Sequence, residues 1–164
     1  LLPARLVFIE FATRLAVRRA TETELLRLRD LTELLIVAFE SGDLTVVAHG
    51  FHRWLDALVD ASRSLAVRWV ANPFLEMFRN LIDRFPSLWL LDPRFPQHLR
   101  ELLEAFSRGD EESAIKTTRE YYEHVDHEMI RLLDALLSLR RRAQSRDDTA
   151  ETATEALVST ETPA

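Results

Sequence analysis

Apolar side chains recur about every three to four residues along most of this chain, and little interrupts them. Three glycines and six prolines are spread over 164 residues. Sheet proteins need turn chemistry about every 8–12 residues, so the scarcity of punctuation favours long helices. A first helix is expected over residues 4–19, striped by Leu6, Ile9, Leu15 and Ala16. Thr21 and Glu24 have the spacing of a capping box that opens a second helix, striped by Leu25, Leu28, Leu31, Leu35 and Phe39. Ser41-Gly42-Asp43 ends it and caps a third, which carries Val47, Phe51, Leu55, Leu58 and Val59 to about Ser62. Ser64 caps a fourth, with the stripe Leu65, Trp69, Phe74, Phe78, Leu81 and Ile82 and a kink or break expected at Asn72, ahead of Pro73. Residues 85–97, with prolines at 86, 93 and 96, read as a loop with one short helical turn. A fifth helix spans Pro96 to Ser107. Gly109-Asp110 stops it and caps a long sixth that reaches Arg142. The expected fold is all-α, an antiparallel bundle of six to seven helices.

Composition narrows the class further. A 47% hydrophobic content over this length supplies one sizeable core. The expected division is a helical domain over 1–144 and a Thr/Ala/Glu-rich tail over 145–164, loosely ordered or disordered. The absence of cysteine excludes disulfides, thiolate metal sites and a cysteine nucleophile. A net charge of −6 opposes direct binding to a phosphate backbone. Arg140, Arg141, Arg142 and Arg146 form the one basic cluster, which reads as cations at a helix C-terminus. No apolar stretch has the roughly 20 residues of a membrane span. No phosphate-binding glycine loop, GxSxG or HExxH is present, so an enzyme is not expected. His49 with His52, and His124 with His127, are each three apart and can share a helix face. Such pairs bind a metal only if further ligands converge on them.

Several segments, taken in order, resemble the effector-binding (FCD-type) domain of FadR-type GntR transcription regulators. They are ATRLAVRRAT at 12–21, SGD at 41–43, DAS at 60–62, LLEAFSRGDEESA at 102–114 and YYEHV at 121–125. The resemblance covers residues 3–138. It implies a dimerising helical bundle in the cytoplasm that controls an N-terminal winged helix-turn-helix, which reads operator DNA and is absent from this chain. It also implies a pocket in which an Asp and three His hold a divalent metal, and an Arg and the metal grip a small carboxylate.

Carried over one position at a time, the metal site does not survive. The Asp falls on Phe51, and the three His fall on Leu55, Leu99 and Tyr121, whereas the carboxylate-gripping Arg is retained as Arg5. Apolar walls with a few polar handles suit a hydrophobic ligand. The metal-free, acyl-CoA-binding FadR branch is similar in this respect, and Tyr121 matches a tyrosine of its pocket. The expectation is therefore a homodimer, without cofactor, that senses a fatty acid or long-chain acyl-CoA through Arg5, Phe51, Leu55, Leu99 and Tyr121, with Trp54, Trp69 or Phe78 as further lining. Two alternatives stay open. The same substitutions would describe a collapsed, effector-free dimerisation module. A second register, with three residues inserted before Ala61, makes His52 a metal ligand and draws on His98 and His124.

Overall fold

The computed structural model describes residues 2–84, 92–128, 130, 131, 134, 135 and 138, and among them there are helices and no strand. Five helices run α1 Leu2–Arg19, α2 Glu22–Ser41, α3 Leu44–Ala61, α4 Leu65–Arg84 and α5 Phe95–Arg108. A sixth, α6, occupies residues 111–125 of the same compact unit. The caps are those the sequence specifies. Thr21 and Glu24 close a reciprocal capping box at α2, Asp43 accepts from the Val46 amide at α3, and Asp110 accepts from the Ser113 amide at α6. Gly42 and Gly109 end α2 and α5 with φ of 76° and 65°, a left-handed conformation that costs glycine little. Arg63 makes the α3–α4 turn at φ 48°, which is uncommon for a residue with a side chain.

Connections of two or three residues reverse the chain between α1, α2, α3 and α4, and again between α5 and α6. The central helix, α3, packs against α1, α2 and α4, while α5 lies on α2. The core they enclose includes Leu28, Leu35, Leu58, Leu99 and Leu102, all essentially inaccessible. Burying each such side chain contributes about 1.5–3 kcal/mol. Trp54 is buried among them, and its indole N–H donates to the Thr32 hydroxyl at 2.9 Å, which removes the cost of an unpaired donor.

Two expectations for the fourth helix need correction. Of the kink or break expected near Asn72, the break does not occur, because α4 continues through Pro73. The carbonyl that loses its helix donor is that of Trp69, and both residues lie on the exposed side where water can serve it. The inward stripe is also different. Val67, Ala71 and Leu75 are buried, whereas Leu65 and Trp69 face outward. Trp69 therefore does not line the interior. The helix is apolar on more than one face, so periodicity alone leaves its rotation open. With the 67–71–75 edge inward, Arg68 beside it pairs with Asp56 and Asp60 of α3. The side chains of Phe78, Leu81 and Ile82 lie outside the described residues, as do the Arg140–Arg142 cluster and the tail from residue 145.

Residues 126–164 form a second compact unit. Its described residues are helical, and within it Arg131 pairs with Glu128 one turn away at 2.9 Å.

Candidate functional site

Phe95, the first residue of α5, organises the region around the expected site. Asp92 fixes the approach: its carbonyl accepts from the Phe95 amide, and its carboxylate accepts from the Arg94 amide at 2.9 Å. Pro96 follows within the first turn, where a missing N–H costs nothing. The Phe95 ring then sits 5.5 Å from Phe39 of α2, 5.5 Å from Phe51 of α3 and 6.3 Å from Tyr121 of α6. One side chain thereby joins three helices. Ring pairs at these separations add about 0.5–1.5 kcal/mol each beyond area burial.

The expected site residues take graded places around it. Phe51 is buried and stacks on Trp54 at 5.9 Å. Leu99 is buried one turn beyond Phe95. Tyr121 is partly buried and lies face to face with His98, centroids 4.0 Å apart. Leu55 packs against the core from its margin. The Arg5 guanidinium lies 5.0 Å over the ring of Tyr122, a cation–π distance, and its charge also acts on Tyr121. Phe51, Leu99 and Tyr121 are thus one packed group, with Leu55 and Arg5 at its border.

Two polar groups stand in this apolar setting. Burial pushes the Tyr121 phenol well above its usual range, with smaller upward contributions from Tyr122 and Asp92, so it remains a neutral hydroxyl. Burial pushes His98 down to about 3, against the pull of Asp92 and a hydrogen bond to the Thr117 backbone. His98 is therefore a neutral imidazole, and its Nδ1 is buried without a hydrogen-bond partner. Reading by type and spacing missed Phe95, which falls at the edge of a proline-rich stretch. For His98 the sequence offers a solvent-exposed or capping residue or a metal ligand, not a stacked core imidazole. The one available signal was helical spacing: His98 lies three residues after Phe95 and one before Leu99.

The residues of the alternative register are apart in their roles. His52 is partly exposed and bonds Arg79 at 3.2 Å, His98 is stacked in the core, and His124 lies 3.8 Å from the Asp92 carboxylate. Among the described residues, no group of three or more His, Asp or Glu side chains is placed to hold a metal ion. A surface groove between α1 and α6, lined by Arg14, Glu111, Lys116, Arg119 and Glu120, includes none of the expected site residues. Ion pairs occupy it, Arg14 and Arg18 with Glu111 and Arg119 with the flanking Glu10.

A family model described as FCD domain matches residues 1–124. No curated protein matches the chain. No described helix is long and apolar enough to cross a membrane.

Proposed function

The chain belongs to the FCD domain family, an effector-binding regulatory domain of GntR-type transcription regulators, and within that role we propose that it senses a fatty acid or acyl-CoA without a metal, as in the FadR branch. One observation carries this reading. The positions that correspond to the family's metal ligands, Phe51, Leu55, Leu99 and Tyr121, belong to or border a shared apolar cluster. An acyl chain is the ligand class that such walls favour. Polar groups stand beside it for the head: the Tyr121 hydroxyl, the His98 Nδ1 and the Arg5 cation, whose guanidinium lies over Tyr122.

The signalling step follows from Phe95. A chain inserted beside Phe51 and Leu99 turns or displaces this ring, which touches α2, α3 and α6. The ligand then favours one packing of those helices over another, a population shift that re-spaces the DNA-reading domains of a dimer.

The test is native mass spectrometry and thermal unfolding of the purified chain with oleate and with palmitoyl-CoA. The expected result is a one-to-one adduct and stabilisation of about 2.7 kcal/mol at a hundredfold excess over Kd. If no acyl ligand binds or stabilises the chain, the reading fails. Stoichiometric zinc, nickel or manganese in elemental analysis, lost in His52→Ala, would favour the metal-dependent alternative. The close packing of Phe95 on Phe51 and Tyr121 favours a second reading, a filled core in an effector-free dimerisation module. That reading predicts no ligand of any class.

A further inference from the structure

His98 meets α6 through its ring faces and through one of its nitrogens. The ring lies flat on Tyr121 at 4.0 Å and perpendicular to Tyr122 at 6.1 Å. It also hydrogen-bonds the Thr117 backbone, one turn before Tyr121. That bond favours the protonated ring, so the Thr117 carbonyl accepts and the nitrogen facing it carries a hydrogen. This nitrogen is Nε2, because Nδ1 has no hydrogen-bond partner. A neutral imidazole has a single N–H. Nδ1 is therefore a bare acceptor, in a residue only 5% exposed. Buried acceptors nearly always find a donor, and one left without costs stability.

The chemistry of that nitrogen selects what it takes. A carboxylate is an acceptor only and opposes a bare Nδ1. Protonating the ring to suit a carboxylate works against the burial that keeps it neutral. A lone water needs two to four polar partners, while Tyr121 and Tyr122 present aromatic surface to the ring. A hydroxyl on an apolar chain fits: its hydrogen goes to Nδ1, and the chain lies against Phe51 and Leu99. We propose that the acyl ligand of this domain carries a hydroxyl along its chain, and that His98 Nδ1 selects it by accepting the hydroxyl hydrogen. The proposal rests on the acyl-sensing reading above and names a second polar group on the ligand. Arg5 is assigned the carboxylate and His98 the hydroxyl. The Arg5 guanidinium lies 5.0 Å over the Tyr122 ring, and His98 meets the same ring, so one tyrosine separates the two polar points. A hydroxyl in the carboxyl half of a chain reaches His98 while the carboxylate stays at the Arg5 border, and a hydroxyl at the far end does not.

Tryptophan-fluorescence titration of the full chain tests this, with palmitate and with palmitates hydroxylated at carbon three, six, eight or sixteen. At least one of the first three hydroxy acids should bind about tenfold more tightly than palmitate, and the sixteen-hydroxy acid should not. His98→Phe keeps a ring to stack on Tyr121 and removes the acceptor, so the preference should vanish. His98→Asn, whose amide oxygen falls near the place of Nδ1, should restore part of it. Nitrogen-15 NMR of the parent chain decides the matter if the variants fail to fold. The His98 Nδ1 resonance should be that of a bare, unbonded nitrogen in the free chain and should move upfield with the preferred hydroxy acid. A hydroxy acid no tighter than palmitate, a preference that survives His98→Phe, or an Nδ1 already hydrogen-bonded in the free chain overturns the proposal and leaves acyl sensing standing. If no acyl chain binds at all, both fall.

Discussion

Helices α4 and α5 are both rich in large apolar residues, yet they meet water in opposite ways. Helix α5 buries Phe95, His98, Leu99, Leu102, Ala105 and Phe106 and turns Gln97, Arg100, Glu101, Glu104 and Arg108 outward. Helix α4 buries Val67, Ala71 and Leu75, small or aliphatic residues, and leaves Leu65, Trp69, Val70 and Met77 outside. The first satisfies its apolar content within the chain. The second leaves its largest described side chain, Trp69, exposed. Amphipathicity can therefore report a finished face or an unfinished one, and the exposed side is what distinguishes them.

Truncation should break this comparison most sharply. Phe95→Ala removes the ring joining three helices and should cost about 3–5 kcal/mol in urea unfolding. Trp69→Ala, measured at concentrations low enough to keep the chain monomeric, should fall within about 0.5 kcal/mol of the parent. A large loss from Trp69→Ala in the monomer would mean that the α4 face is packed after all.

Acid should separate the two helices next. His98 is held neutral when folded, at about 3, while the unfolded chain protonates it near its ordinary value of 6.5. The unfolded state thus binds more protons between those limits, and stability should fall as pH drops from 6.5 toward 3, by up to about 1.4 kcal/mol per unit. Comparing unfolding curves of the parent and His98→Leu across that window checks the sign. The variant should lose most of the slope, whereas a Trp69 variant should keep it.

Smaller effects belong to the helix ends and outer faces. Asp110→Ala removes the acceptor for the Ser113 amide and should cost about 1 kcal/mol in thermal unfolding. Arg108→Ala breaks an exposed pair with Glu104 one turn away, and the change should stay near 0.3–0.5 kcal/mol and shrink with added salt.

Helix identity and most helix ends were legible from residue type because caps are local. Thr21 with Glu24, Asp43 and Asp110 bond amides three residues ahead, and Gly42 and Gly109 adopt a conformation that side chains disfavour. The candidate site was legible in part. Phe51, Leu99 and Tyr121 are recognisable by register and meet in one cluster, while Phe95, which links Phe51 to Tyr121, enters from beside a proline-rich stretch where helical periodicity has not begun. His98 was visible as a residue, but its neutral state depends on burial by neighbours distant in the chain.

The sequence alone determined an all-helical chain, its turns and its kinship with the FCD family, because periodicity, capping and segment order are written in neighbouring residues. Only the tertiary structure decided the rotation of α4. Apolar residues occupy more than one face of that helix, so its local free energy hardly distinguishes one inward edge from another. Packing against the neighbouring helices does: Val67, Ala71 and Leu75 are buried, Arg68 beside them pairs with Asp56 and Asp60 of α3, and Trp69 is left exposed.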